Sequence, residues 1–380
     1  MAVTQSLDER LKALAVLEPS PFPVISLYLD LRPNQHGRDD FGAFVRKVLP
    51  ERLRGLPQPS IERDSVERDI ERIQTYLDSS VEPAANGLAL FACAGADLFE
   101  AIQLEAPVEQ HWLFIGAVPH LYPLARLLNM YPRYAAILLD TNKARIFVFS
   151  LAALERSQQV AGEKTRRHSQ GGWSQARYQR HIDNLRLQHV KEAISNLETL
   201  VSEEQIDHIV AAGPDEALAL LLQNLPAHLA DKLGATTSLD LNASDAEVLQ
   251  ATLESFRQHH AETDTERVDE LLNAWRSGGL GVAGPEATLR ALELGQVDEL
   301  ILAGSPDTLK PVQGLRDAAT AGAVHAETSA PQGAGDETKL TLSSELVLRA
   351  EQTGARIRFI EDPALLADIG GVGALLRFRL

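Results

Sequence analysis

Short apolar runs alternate along the chain with longer segments whose apolar residues recur every three or four positions. Runs rich in β-branched and aromatic residues predict strands, and the longer periodic segments predict helices. The predicted strands cover residues 23–31, 87–92, 98–104, 134–139, 144–150, 206–212, 299–303 and 356–360. The predicted helices cover residues 61–77, 178–200, 216–233, 245–275, 286–294 and 343–353. This order of elements predicts an α/β protein built from layered sheets and helices.

The length of the chain, 380 residues, is enough for two or three domains. Residues 1–129 predict an N-terminal α+β domain, and the hairpin pattern at 134–150 opens a middle domain over residues 130–241. Ala243-Ser244-Asp245 has the composition of a helix cap and opens a third domain over residues 242–380. Within this third domain, residues 321–339 are small and polar, which predicts a surface loop.

Several classes of protein are excluded by composition. No run of eighteen apolar residues occurs and the first residues lack the plan of a signal peptide, so we expect a cytoplasmic protein without a membrane partner. Cys93 is the only cysteine and lies in an apolar run, which predicts a buried thiol and excludes a zinc site built on cysteines. No phosphate loop or catalytic triad pattern appears, and we expect neither a metal nor another cofactor.

The formal net charge of −17 excludes a protein that coats nucleic acid over its whole surface, because such proteins are usually basic. We therefore expect no DNA partner, and any RNA contact has to be local. One window has the opposite sign: residues 161–192 contain seven basic and three acidic residues, a net charge of +4. On a helix, Arg177 shares a face with Arg180 and with His181. The window predicts an anionic partner, although a solvated loop followed by a mixed-charge helix explains the same spacing.

The segment GGWSQARYQR in this window resembles the loop and helix start of the archaeal and eukaryotic class I release factors, where Gly-Gly-Gln-Ser precedes an arginine and an aromatic residue. Residues 369–378 resemble the Gly-Gly-Ile-x-Ala-x-Leu-Arg-Tyr ending of release factors and Pelota, and residues 281–303 resemble the start of their third domain. The chain is similar to the release-factor-like proteins of several bacterial lineages, a wider family that includes the Balon-type hibernation factors. The positions that match the loop are Gly171, Gly172, Ser174, Arg177 and Tyr178.

The resemblance implies a fold and a set of partners. It implies a release-factor-like N-terminal domain, an RNase H-like middle domain and an L7Ae-like α/β/α C-terminal domain. It also implies a tRNA-mimicking shape that enters the ribosomal A site and contacts rRNA, with peptidyl-tRNA and an elongation-factor GTPase as further candidate partners. The residues expected to contact RNA are Arg166, Arg167, His168, Trp173, Arg177, Arg180 and His181.

The chain departs from the family at two places. Trp173 occupies the position of the family's glutamine, and Gln175 lies two residues further on. Residues 1–129 lack the Asn-Ile-Lys-Ser and Tyr-x-Cys-x-x-x-Phe motifs that read stop codons, so we do not expect stop-codon decoding. Gln175 would orient water if the loop were shifted by two residues. Trp173 would stack on an exposed base, and a purely structural role for the loop is the third alternative.

Two functions follow from these features. The first is a protein that binds the A site during ribosome hibernation or rescue without stop-codon decoding. The second is a codon-independent hydrolase that frees peptide from peptidyl-tRNA on stalled ribosomes, with Gly171, Gly172 and Gln175 as its catalytic loop. The missing glutamine, the missing decoding motifs and the acidic chain favour the first function. The retained Gly-Gly pair and the nearby Gln175 favour the second.

Overall fold

A computed structural model describes residues 7–18, 20–34, 37, 40–140, 142–161, 174–312, 324–325 and 334–379. The helices in this part of the chain are α1 (Leu7–Ala15), α2 (Phe41–Arg54), α3 (Ile61–Ser79), α4 (Tyr122–Met130), α5 (Ser174–Glu203), α6 (Asp215–Asn224), α7 (Ala227–Ala230), α8 (Asp245–Arg276), α9 (Pro285–Glu293) and α10 (Ala334–Thr353). The strands are β1 (Val24–Asp30), β2 (Gly87–Cys93), β3 (Leu98–Leu104), β4 (Trp112–Gly116), β5 (Tyr134–Leu139), β6 (Lys143–Ser150), β7 (Ala153–Ala161), β8 (Ile209–Ala212), β9 (Leu233–Thr237), β10 (Gly281–Ala283), β11 (Val297–Ala303), β12 (Val324–His325), β13 (Arg356–Ile360) and β14 (Val372–Leu376).

The described residues pack into two compact units. One unit combines residues 1–129 with residues 264–380, and the other is residues 130–263. We call them the outer unit and the middle unit. The boundary at residue 264 falls inside α8, a continuous helix of 32 residues, so each half of α8 contributes to a different unit. The division into domains at 129/130 and 241/242 that the sequence suggests stays a prediction.

The outer unit contains two sheets. The first has the order β12-β4-β1-β2-β3, with β1 antiparallel to both β2 and β4. Its central strands are apolar on both sides because both of their faces are covered, and α2 and α3 pack on one of those faces. The second sheet has the order β10-β14-β11-β13, in which β11 and β13 are parallel and β14 is antiparallel to β11. The second half of α8 packs on this sheet through Val268 and Leu271.

The middle unit has one mixed sheet with the order β7-β6-β5-β8-β9. β5, β6 and β7 form an antiparallel meander, while β5, β8 and β9 run parallel. Helices α5 and α6 cover one face of the sheet, and the first half of α8 covers the other through Val248 and Phe256. Helix α8 begins with a capping box, since the backbone N–H of Ser244 donates to Glu247 at 2.7 Å and the backbone N–H of Glu247 donates to Ser244 Oγ at 3.3 Å.

The structure corrects three local predictions. Strand β7 covers residues 153–161, which lie outside every predicted strand. Polar residues are accommodated there because this is an edge strand whose side chains are largely exposed. The predicted helix 216–233 is interrupted at Pro226, and its end becomes β9. Within the predicted loop 321–339, Val324–His325 pair with β4 and α10 begins at Ala334. In the described part of the chain, no helix has the length and apolar character needed to cross a membrane.

Candidate nucleic-acid interface

The two halves of helix α5 differ in burial. From residue 189 onward one side of the helix is in the core of the middle unit, whereas no residue from 180 to 188 is buried. The apolar residues Ile182 and Leu185 are only partly buried. We call residues 174–188 the arm. At a rise of 1.5 Å per residue, the arm carries its first residue about 22 Å beyond His189. The core residues of the second half are Val190, Ala193, Ile194, Leu197, Leu200 and Val201.

The arm and strand β7 hold the two ends of the Gly-Gly segment. Strand β7 ends at Ala161 and α5 begins at Ser174, so residues 162–173 connect the edge of the sheet to the start of the arm. Most of the predicted site falls within this connection and lies outside the described residues: Arg166, Arg167, His168, Gly171, Gly172 and Trp173.

The remaining predicted residues lie on the arm itself. The backbone places Gln175 and Arg177 in the first turn of α5, and Arg180 and His181 are exposed in the next turn. Because residues 177, 180 and 181 are three and four positions apart on a helix, they lie on one face as the sequence predicts. The first turn of α5 contains no acidic residue, and helix N-termini carry a partial positive charge. The start of the arm therefore attracts anions.

Two residues that contribute to the basic window are not available to a partner. Arg186 donates to Glu216 of α6 at 2.6 Å, so its charge is paired within the middle unit. His189 is 4% exposed, and neither ring nitrogen has a hydrogen-bond partner in the described residues. Burial in the helix interface therefore prevents His189 from donating to an anionic partner.

The far end of α5 is fixed by an ionic cluster. Arg133 donates to Glu155 and to the Glu204 carboxylate, both at 2.8 Å, and to the Glu204 carbonyl at 2.6 Å. Arg156 donates to the same carboxylate at 2.9 Å. Hydrogen bonding from Arg133 lowers the pKa of the Glu204 carboxyl, against a smaller opposing effect of burial. A cation at a helix C-terminus also complements the helix dipole. Sequence reasoning missed this cluster because its members are distant along the chain.

Two acidic residues at strand ends have turn roles. Asp140 Oδ1 accepts the backbone N–H groups of Asn142 and Lys143 at 2.6 and 2.7 Å. Asp30 accepts the backbone N–H and the guanidinium of Arg32. Cys93 is fully buried, as its apolar run predicts.

These features define a class of protein: an α/β chain, acidic overall, that presents a locally basic segment on a projecting helix. Residues 119–257, which include the arm, match the family described as Bacterial archaeo-eukaryotic release factor family 10. The chain is therefore similar to the archaeo-eukaryotic release factors.

Individual relatives are distant in sequence but similar in length. The chain is 24% identical over 349 residues to peptide chain release factor subunit 1 of Archaeoglobus fulgidus, covering 83% of this chain and 84% of the relative. It is 22% identical over 362 residues to the same factor of Pyrococcus abyssi, covering 84% and 85%. A solved structure described as a model of ribosome-bound archaeal Pelota and ABCE1 aligns with 99% of this chain and 95% of its own, at 13% identity and a TM-score of 0.40.

Proposed function

We propose that this protein binds the ribosomal A site as a tRNA mimic, in hibernation or rescue, and does not decode stop codons. The observation that carries the proposal is the arm, a helical extension that leaves the core of the middle unit and bears exposed Arg180 and His181. Because the arm is helical, it fixes the distance from the core to Ser174, which follows the Gly-Gly segment in the sequence. A helix of this kind suits a protein that inserts a short segment into a narrow cavity lined by RNA.

The distribution of charge supports a local RNA contact. The chain has a net charge of −17, so contact over its whole surface would repel RNA, while residues 161–192 carry +4. Affinity for RNA comes largely from phosphate neutralisation. We therefore assign the RNA contact to the arm and its adjoining segment, including Arg166, Arg167, His168, Trp173 and Arg177.

The domain assignment is part of the same proposal. The mixed sheet of the middle unit, with helices on both faces, supports an RNase H-like middle domain. The sheet β10-β14-β11-β13 between helices supports an L7Ae-like third domain. We propose boundaries at 129/130 and 241/242, and an elongation-factor GTPase as the delivery partner that the resemblance implies.

Ribosome binding measured at increasing salt tests the role of the arm. Each arginine that neutralises a phosphate contributes about 1 to the slope of log affinity against log salt. Arg177→Ala and Arg180→Ala are each expected to lower affinity several-fold and to reduce this slope by about 1. Lys191→Ala is the matched control, because Lys191 is an exposed cation on α5 beyond the arm. If all three changes lower the affinity equally, binding depends on the net charge of the protein and not on the arm.

Peptidyl-tRNA hydrolysis is the second candidate function, favoured by the position of Gln175 in the first turn of α5, directly after the Gly-Gly segment. Helix N-termini have backbone N–H groups without intrahelical partners, and such donors stabilise a developing oxyanion. The test incubates the protein with ribosomes that hold a labelled peptidyl-tRNA and compares wild type with Gln175→Ala and Trp173→Ala. If the wild-type protein co-sediments with ribosomes but releases no peptide, the hydrolase function is rejected. If the wild-type protein releases peptide and Gln175→Ala does not, the hydrolase function replaces the proposal of binding alone.

A further inference from the structure

Helix α10 is buried on most of its circumference between residues 340 and 350. The three consecutive residues Leu346, Val347 and Leu348 are all buried. The partly exposed positions, Thr341, Glu345 and Arg349, lie on one side, because they are four residues apart. A surface helix buries one stripe, so this helix buries more of its surface than a surface helix does. The buried positions of α10 are Leu340, Leu342, Ser343, Ser344, Leu346, Val347, Leu348 and Ala350.

One side of α10 contacts the first sheet of the outer unit. Leu340 packs against Phe114, with Trp112 beside them. Ser344 Oγ hydrogen-bonds His120 Nδ1, and the His120 ring stacks on Phe114 with centroids 4.8 Å apart. These residues are buried or nearly so, which makes the contact a shared core and not a surface touch.

The segment around α10 also completes the edge of that sheet. The short strand β12 pairs antiparallel with β4, with Val324 opposite Leu113 and His325 opposite Trp112. Helix α1 packs on α10, and Gln352 Nε2 donates to the Ala15 carbonyl at 2.8 Å. An element from the last third of the sequence therefore closes a sheet formed by the first third.

The opposite side of α10 contacts the second sheet and α9. Further contacts join helix α4 to the second sheet. Tyr122 Oη donates to the carbonyl of Ala303 at the end of β11, at 2.6 Å, and the Tyr122 ring meets Phe359 edge-on at 5.2 Å. The guanidinium of Arg126 binds Glu361 at 2.8 Å. Both sheets thus contact α10, and the second sheet also contacts α4.

We propose that residues 1–129 and 264–380 unfold as one cooperative unit centred on α10, although the middle unit separates them in sequence. Cooperative units form where removal of one element exposes apolar surface on all of its neighbours. Loss of α10 would expose the cores of both sheets, so neither sheet is expected to persist without the other. A substitution that destabilises the first sheet is then expected to destabilise the second sheet equally, while the middle unit stays folded.

Amide hydrogen exchange on the full chain tests this proposal. Leu340→Ala deletes side-chain atoms that face the first sheet, and such a change typically lowers the protection of globally exchanging amides about 100-fold. The proposal expects equal losses in β1 and β11, which belong to different sheets. The matched control is Leu197→Ala in α5, a buried leucine of the middle unit, which should lower protection in β5 and leave β1 and β11 unchanged.

A second variant keeps the test decisive if Leu340→Ala does not fold. Tyr122→Phe removes only the hydroxyl that donates to Ala303, and the expected loss is about tenfold, again equal in β1 and β11. A loss confined to one sheet, in either variant, would overturn the proposal and restore two independent domains.

Discussion

Glu351 on α10 shows how a single residue responds to its surroundings in the outer unit. Burial raises the pKa of its carboxyl to about 6, with Asp8 acting in the same direction and Lys12 in the opposite one. In the unfolded chain the carboxyl has its ordinary pKa near 4.5. Between these two values the folded state binds more protons than the unfolded state, so this group makes stability fall as the pH rises through the window.

Replacing this carboxyl by a neutral amide should therefore stabilise the protein at neutral pH. We expect Glu351→Gln to raise the free energy of unfolding at pH 7.5 by about 1 kcal/mol, after allowance for the partial exposure of the side chain. The gain should shrink as the pH is lowered to 5, because the wild-type carboxyl then becomes neutral. Urea denaturation at the two pH values measures the difference, with exposed Glu293→Gln as control. A gain that does not change with pH would contradict the burial argument.

At the same scale, part of the candidate site follows from the sequence and part does not. Helical spacing correctly predicts that residues 177, 180 and 181 share a face, because that geometry is local. The pairing of Arg186 with Glu216 and the burial of His189 depend on how α5 meets its neighbours, which no local pattern encodes. The roles of Gln175 and Trp173 stay predictions.

Among the secondary-structure elements, α5 combines a packed half with a projecting half. The ionic cluster of Arg133, Glu204 and Arg156 fixes its C-terminal end, while the arm extends from the opposite end. Rigidity of the arm is what our account requires, since a flexible tether would not hold the Gly-Gly segment at a set distance.

A proline in the arm tests this requirement. Asn184 is exposed, and Asn184→Pro removes a backbone donor and breaks the helix within the arm, between its first turns and the packed half of α5. We expect ribosome affinity to fall about tenfold or more, while the melting temperature of the middle unit falls less than for a proline in the packed half, because residues 180–188 are exposed or only partly buried. Asn184→Ala, which preserves the helix, should bind normally. Normal binding by Asn184→Pro would show that the arm need not be rigid.

Elements with strong local signals were predicted correctly, including the hairpin β5–β6, helix α3 and strands β11 and β13. The failures lie where tertiary contacts override composition. Residues 157–161 are polar yet form an edge strand, and Ala334 begins a helix inside a segment of small residues. Strand β9 contains Gly234 and follows a proline-broken helix, so it carries little strand signal of its own.

The whole molecule has an organisation that linear order conceals. The sequence suggests three consecutive domains, whereas the packing joins its first and last parts into the outer unit. This joining depends on α10, whose two contact surfaces belong to sheets far apart in the chain. Such contacts join residues that are far apart in the sequence. The entropy lost in bringing them together is recovered only when both sheets have formed and can pack on α10.

Competition for the A site tests our central claim most directly. Ribosomes are prepared with a P-site tRNA and either a vacant A site or an A site filled by tRNA, and the labelled protein is titrated against each. A tRNA mimic should bind the vacant ribosomes and be excluded from the filled ones. Added tRNA should displace the protein from the vacant ribosomes, at concentrations set by the affinity of the tRNA for the A site. Equal binding to both preparations would contradict the account.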